Sequence, residues 1–302
     1  MPLVGSSYSP PTGCTADELV DDVISEATAW GGAVEQMTVL TSPLNANDLT
    51  MSVETTTGFA AGLVEIGNEL VYIKSVVDAS TLSILQRGYR STASTAHAAG
   101  SLVVRAPRFP RAMMLKLLNK TVGGLWPALY VVKTDRSNLV LSVDDWYPLP
   151  EDVEMILDVQ VKDALDRYSR VKSWRLDATA DPAKYPTGKA AWMPHGIPGR
   201  PIEFTYAAQP RPITTSLAET GLPESARALL VAGALSNIGG SSELVRQNVM
   251  TVEQSNRATT QQGGQGVNTA NWYRREYLRL LEEARRALRQ SNPPRKHVGS
   301  WH

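Results

Sequence analysis

The spacing of apolar residues changes four times along the chain, and this alternation limits the folds that the chain can adopt. Helical spacing begins behind Thr15, strand-like alternation fills residues 37–104, helical spacing returns at Pro110, strand patterns recur over 125–210, and helical spacing resumes at Pro223. Because a short helix cannot bury its apolar stripe alone, we expect the helical segments to pack on one another. The sequence therefore predicts an α+β multidomain protein, a helical bundle interrupted by two all-β insertions.

The order of these segments also predicts the domain boundaries. A length of 302 residues is typical of about two domains. The first β insertion is expected to be a small barrel or sandwich at 36–107, and the second a sandwich-like module at 123–215. The helical bundle is then expected to combine three separate stretches, 1–35, 108–122 and 220–302.

Capping residues and glycines set the predicted helix ends. Thr15 and Glu18 form a capping box, which predicts a first helix over 16–30, before Gly31-Gly32. Pro110 is favourable at a first helical position and predicts a second helix to about Asn119. Further helices are predicted at 223–238, 242–252 and 269–290.

Strand patterns separated by turn residues define the two β modules. A hairpin is predicted from Leu63–Ile66 and Leu70–Ile73, joined at Gly67-Asn68. In the second module, a turn at Thr134–Arg136 is predicted to separate two strands, and a further strand is predicted over 168–176. The proline-rich stretch 177–201 is expected to be a long loop.

Composition excludes several classes of protein. Hydrophobic residues make up 42% of the chain and charged residues 20%, which is typical of a folded chain and not of a disordered one. No apolar run reaches the ~20 residues of a membrane helix, and the amino terminus does not resemble a secretory signal. The single cysteine, Cys14, cannot form an internal disulfide, and the four histidines lack the spacing of zinc ligands. We therefore expect no cofactor, no metal and no membrane contact.

Charge is distributed unevenly although the net charge is zero. Residues 1–73 contain ten acidic residues and no lysine or arginine, so the remaining 229 residues carry the compensating +10. From Thr269 onward, the chain contains eight basic residues and three acidic ones. Such polarity suits a subunit that meets charged neighbours at each end. The alternative is that folding brings the two ends together and cancels the field.

Residues that could support catalysis are few. No G-x-S-x-G elbow occurs, and Cys14 has no histidine nearby in the sequence. The acidic pairs Asp144-Asp145 and Glu151-Asp152 are typical of solvated turns. An enzyme acting on a cell-wall polymer, with Asp144, Asp145 or Glu151 as acid or base, is a remote rival. The sequence predicts a protein that is not an enzyme.

The last helix combines aromatic and basic residues. Tyrosine, tryptophan and arginine are the residue types enriched at the centres of protein interfaces. We therefore predict that this helix docks on a protein partner, using Trp272, Tyr273, Arg274, Arg275, Tyr277, Arg279, Leu281 and Arg286. Contact with nucleic-acid phosphates and a simple solvated helix face are the alternatives.

A local motif in the first β module points to a class of proteins. It comprises Phe59, the segment Val64–Glu69, the segment Gln86–Thr92 with its Arg-Gly pair, His97 and Gly100. The motif resembles a small β domain that occurs repeatedly in virion proteins of tailed bacteriophages. That resemblance implies that the glycines serve turns and that His97 has a structural role.

The predicted bundle with its long last helix is similar to the head-to-tail connector, or adaptor, proteins of the phage neck. The resemblance implies an adaptor ring, typically of twelve subunits, that joins the portal to the tail and lines part of the DNA ejection channel. Its expected partners are the portal protein, a stopper or tail terminator, further copies of itself and, transiently, genomic DNA. The protein would be made in the bacterial cytoplasm and reside in the virion, with its acidic start facing a neighbour or the DNA path.

A different virion role is the main alternative. The second β module carries Trp126, Trp146, Trp174 and Trp192, which could serve as platforms for glycans. A minor tail or baseplate protein with a glycan-binding β domain would use them in this way.

Overall fold

A computed structural model describes most of the chain and divides it into two compact units. The described residues are 13–29, 35–140, 145–163, 165, 167–194, 198–238 and 265–292, with only the backbone described at 265–269. Unit 1 comprises Met1–Thr121, Ile213–Leu217 and Arg227–Tyr277. Unit 2 comprises Val122–Pro212, Ala218–Ala226 and Leu278–His302.

Unit 1 contains a six-stranded antiparallel sheet that curls back on itself. Its strands, in the order β1-β6-β3-β4-β5-β2, are β1 Gln36–Val39, β2 Thr50–Ser52, β3 Gly62–Ile66, β4 Glu69–Val76, β5 Thr81–Gln86 and β6 Leu102–Arg105. A bridge between Leu40 and Val53 joins the two edges. Twelve buried apolar residues, among them Ile66, Ile73 and Val103, fill the interior.

The predicted hairpin in this sheet is confirmed. Strands β3 and β4 pair from Gly62 with Ile73 to Ile66 with Glu69. The turn between them is possible because Gly67 adopts a φ of 56°, a left-handed conformation that glycine takes without a steric penalty.

Helices precede and follow the strands of this sheet along the chain. The capping box of Thr15 and Glu18 is present, and it starts α1 at Ala16–Thr28. Helix α2 spans Arg111–Gly123, α3 spans residues 227–238, and α4 spans Gln265–Ser291. Short 3-10 turns lie at Tyr89–Ser91, Leu217–Thr220 and Glu224–Ala226. The helix predicted at 242–252 lies outside the described residues.

Unit 2 holds two further antiparallel sheets. Strands β7 Val131–Leu139, β9 Met155–Lys162, β10 Tyr168–Arg170 and β13 Pro201–Ala208 form one, in the order β10-β9-β13-β7. Strands β8 Trp146–Pro148, β11 Arg175–Asp177 and β12 Ala190–Trp192 form the other, in the order β11-β12-β8. Their shared core includes Tyr147 and Phe204, whose rings lie 6.3 Å apart.

The prediction of a helical bundle interrupted by two β insertions is wrong. The described residues form a mostly β-sheet protein with three sheets, and the helices are additions to them. The error came from assuming that a short helix must bury its stripe against other helices. Here α2 is also tied to a sheet, because the first N–H of that helix, at Arg111, donates to the Glu65 carboxylate of β3.

Three local predictions in the second β module also differ from the structure. The turn expected at Thr134–Arg136 lies inside the continuous strand β7, which bulges there while it pairs with β13. The Asp135 carboxylate accepts from the Ser137 N–H, so a turn-like sequence produces a bulge and not a chain reversal. The expected loop at 177–201 contains strand β12, and the strand expected over 168–176 is split into β10 and β11.

Within the described part of the chain, no helix has both the length and the apolar character that crossing a bilayer requires.

Candidate functional site

Helix α4 has two different sides along its described side chains. Tyr273, Tyr277 and Leu281 recur every four residues and share one side, which we call the inner side. Trp272, Arg275, Arg279 and Arg286 share the opposite side, which we call the outer face of α4. From residue 270 to residue 291 no side chain is fully buried, so the helix is covered only in part.

The inner side of α4 is engaged within unit 1. The Tyr273 hydroxyl donates to the Glu26 carboxylate of α1 at 2.9 Å. Tyr277 lies beside Gly233 of α3, where a Cβ would come within 3.0 Å of its ring, and burial raises the pKa of its phenol. These two tyrosines therefore stabilise unit 1 itself.

The outer face of α4 is open. Trp272 is 57% exposed, and its ring forms a T-shaped pair with the Tyr273 ring, with centroids 4.7 Å apart. Arg275 has no hydrogen-bond or ion-pair partner in the part of the chain that the structure describes. Arg279 pairs with Glu283, one helical turn further along, and Arg286 pairs with Glu282, one turn back. All four of these side chains stay largely exposed.

The structure thus divides the eight residues predicted to dock. Four of them form the outer face of α4, and Tyr273 and Tyr277 are used in the packing of unit 1. Leu281 is half-buried, and Arg274 is exposed without a partner among the described residues. A partner could meet the outer face without disturbing the inner side.

Acidic residues at the start of the chain bind basic residues from later in it. Within unit 1, Asp17 and Asp21 both pair with Arg111, and Asp22 pairs with Arg227 through two bonds of 2.6 and 2.9 Å. These pairs support the alternative in which folding brings opposite charges together. They leave α1 acidic, since Glu18 and Glu26 are exposed as well.

The motif of the first β module converges on one buried carboxylate. Glu69 is 1% exposed, and Arg87 binds both of its oxygens, at 2.7 and 2.8 Å. The His97 Nε2 lies 2.8 Å from Oε2, and the N–H groups of Gly88 and Thr95 donate to the same carboxylate. Burial raises the pKa of this carboxyl, but the hydrogen bonds outweigh burial and lower the pKa to about 2.

This carboxylate shapes the loop that follows β5. Gly88 must be glycine, because its φ is 60° and a Cβ would lie 2.7 Å from the Thr92 carbonyl oxygen. Arg90 and Ser91 also have positive φ, which costs energy in residues other than glycine. The bonds from Glu69 to both ends of this loop hold it in place, so His97 has the structural role that the motif predicts.

The four tryptophans named for glycan binding are all partly buried. Trp174 packs against the main core of unit 2, and Trp126 contacts the edge of the Tyr130 ring. Trp146 and Trp192 are direct partners on neighbouring strands β8 and β12. Two of the four therefore lie side by side.

The acidic residues named for the enzymatic rival do not form a described cluster. Asp144 lies outside the described residues, Glu151 is exposed on a turn, and the Asp145 backbone carbonyl accepts from the N–H of Met193, the residue after β12. Among the described residues, no group of three or more histidine, cysteine, aspartate or glutamate side chains could hold a metal ion.

Sequence reasoning missed two polar centres, one buried around Glu69 and one half-buried around Asp152. The role of Glu69 could have been inferred from its place in the motif, since a charged residue beside the apolar Leu70, Val71 and Ile73 in a strand needs a partner when it is buried. Asp152 was interpreted as part of a solvated turn. Instead its carboxylate binds the Lys133 ammonium at 2.6 Å and the Tyr206 hydroxyl at 3.1 Å, contacts that no local pattern indicates.

No protein-family model matches this chain, and no curated protein matches its sequence.

Proposed function

We propose that this protein is a structural component of a tailed-phage virion, an adaptor in the neck that docks on the portal through the outer face of α4. The observation that carries the proposal is an exposed tryptophan, Trp272, flanked by Arg275 and Arg279 on the outer face of α4. Such residues are the typical anchors of protein interfaces.

The motif around Glu69 supports the class of protein. Its arginine, glycine and histidine positions converge on one carboxylate, so the residues that carry the resemblance to virion β domains act together in this fold, and this supports the proposal. The architectural likeness to helical adaptors does not contribute, because the helices do not form an interrupted bundle. The proposal therefore rests on the motif and on α4.

An adaptor of this kind acts mechanically. We infer a homo-oligomeric ring, of about twelve subunits by analogy with known adaptors, between the portal and a stopper or tail terminator. Helix α1 carries five acidic residues, and among the described residues these acids form ion pairs with two arginines from later in the chain, Arg111 and Arg227. If α1 faces the channel, its excess negative charge repels DNA and keeps the genome from adhering during ejection.

The test is co-purification of the full chain with the portal protein of the same phage, followed by negative-stain microscopy. We expect a ring seated on the narrow end of the portal. Trp272→Ala should abolish the complex, and Arg286→Ala should weaken it in a way that rising salt mimics.

A matched control is available in unit 2. Arg167 is 71% exposed in its side chain and pairs with an acid four residues away at 3.3 Å, as Arg286 does. Arg167→Ala should leave the complex intact. Wild-type binding that survives Trp272→Ala would exclude this interface, and a wild-type chain that does not bind the portal would overturn the adaptor function.

A further inference from the structure

The three-stranded sheet of unit 2 presents a row of large side chains on one face. Trp192 of β12 lies directly opposite Trp146 of β8 and, on its other side, directly opposite Arg175 of β11. Residues directly opposite one another in antiparallel strands project from the same face of a sheet. Both tryptophans are partly exposed and Arg175 is exposed, so this row is accessible from outside.

The guanidinium of Arg175 stacks over this face by a cation–π contact and not by hydrogen bonds from its N–H groups to described residues. Its central carbon lies 5.6 Å from the centre of the Trp146 ring, a cation–π contact that reaches across the middle strand. Within the described residues Arg175 makes no hydrogen bond, so its N–H groups stay available to a ligand. A stacked guanidinium loses little conformational freedom when a ligand binds to it, so the entropic cost of binding is small.

A carboxylate lies at the edge of the same face. Asp177 follows Arg175 by two residues on β11 and therefore shares its side of the sheet. Its Oδ1 accepts from the N–H and hydroxyl of Thr179, and its Oδ2 accepts no hydrogen bond from a described residue. The face thus offers both donors and an acceptor beside an aromatic floor.

A buried hydroxyl without a partner lies in the wall of this face. Tyr185 is 8% exposed and packs with Ala190 and Trp146, and its phenolic oxygen is buried with no hydrogen-bond partner. Ala190 lies two residues before Trp192 on β12, which places Tyr185 next to the row. Buried hydroxyls normally have a hydrogen-bond partner, so this hydroxyl marks a place where a polar group of a ligand can bond.

From this arrangement we infer that the Trp192–Trp146–Arg175 face is a saccharide-binding site. A pyranose ring has an apolar C–H face that stacks on an indole, and a rim of hydroxyls that accept from a guanidinium and donate to a carboxylate. A nucleotide would also stack on tryptophan, but its phosphate groups carry more negative charge than the single carboxylate of a uronate, so Asp177 disfavours a nucleotide more strongly than an acidic sugar. This inference is independent of the docking role of α4.

The experiment uses the full chain on a glycan array that carries neutral, amino and uronate oligosaccharides, followed by calorimetry with the sugar bound best. We expect binding that Arg175→Ala and Trp192→Phe each weaken at least tenfold. Lys172→Ala, which removes an exposed cation of unit 2 outside this face, should leave affinity unchanged. Circular dichroism would establish that the variants remain folded.

Each outcome decides the inference. Selective binding of uronates would assign Arg175 to a sugar carboxylate, and binding of neutral sugars alone would assign it to hydroxyls. Failure of the wild-type chain to bind any printed glycan would overturn the site. Binding that Arg175→Ala and Trp192→Phe leave unchanged would also overturn it, because the sugar would then lie elsewhere.

Discussion

At the scale of single residues, two buried carboxyl groups of the same sheet respond to pH in opposite directions. Glu69 is surrounded by donors, which lower its pKa to about 2, and Glu65 is mainly desolvated, which raises its pKa to about 7. Both lie on neighbouring strands, β4 and β3. Their partners, and not their burial alone, set the sign of the shift.

Glu69→Gln is expected to lower the free energy of unfolding at pH 7 by roughly 3 kcal/mol, because the lowered pKa corresponds to about 1.4 kcal/mol per unit. This stabilisation is present above the unfolded pKa of 4.5 and is lost as the pH falls towards 2. Urea unfolding at pH 7 and pH 3 measures it. The exposed Glu54→Gln serves as control, and a deficit that is as large at pH 3 as at pH 7 would contradict this origin.

Glu65→Gln should have the opposite pH dependence. The neutral form of Glu65 is favoured in the folded state, so its contribution is complete below pH 4.5 and is lost as the pH rises through 7. Relative to the wild-type chain, the variant should gain up to about 3 kcal/mol of unfolding free energy between pH 5 and pH 9. Chemical unfolding at both pH values tests this, and a difference that stays constant with pH would refute it.

The scale of elements shows a helix contact that depends on a glycine. Gly233 lies inside α3, and a Cβ there would be 2.3 Å from the Thr121 methyl group and 3.0 Å from the Tyr277 ring. Replacing glycine by alanine inside a helix normally stabilises it by about 1 kcal/mol. Here the added methyl group would overlap with the Thr121 and Tyr277 side chains, so the substitution is expected to be unfavourable. We expect Gly233→Ala to destabilise the protein by roughly 1–3 kcal/mol.

Thermal unfolding compares this variant with a matched one. Gly123 ends α2, and a Cβ at that position would meet nothing within 4 Å. Gly123→Ala should therefore be neutral or stabilising. Equal effects of the two substitutions would show that α3 does not depend on close approach at Gly233.

The elements themselves were predictable where local chemistry decides them. The capping box at Thr15 and the glycine turn at Gly67 act over four residues, and both are confirmed. The turn predicted at Thr134–Arg136 failed because pairing with β13, about 70 residues later in the chain, holds the segment in a strand. Pairing of that kind leaves no local trace in the sequence.

At the scale of the whole molecule, contacts between residues far apart in the chain determine two features that the sequence alone could not: how the separated charges pair, and which side of α4 is packed. The pairing of Asp22 with Arg227 joins residues 205 positions apart and favours one of the two interpretations of the charge separation. The aromatic and basic composition of α4 was evident from the sequence. Its division into an inner side and an outer face was not, because that depends on the positions of Glu26 and Gly233 in the fold.

Two compact units with separate apolar cores imply two separable unfolding transitions. Ile73 is fully buried in the core of unit 1, and Ile202 is fully buried in that of unit 2. Each Ile→Val substitution should cost about 0.5–1.5 kcal/mol, a shift of several degrees, on the order of 2–8 °C, in the transition of its own unit. In differential scanning calorimetry, Ile73→Val should lower one transition and Ile202→Val the other. A single transition that both variants lower equally would mean that the units unfold as one cooperative body, since a two-state protein loses all of its cores together.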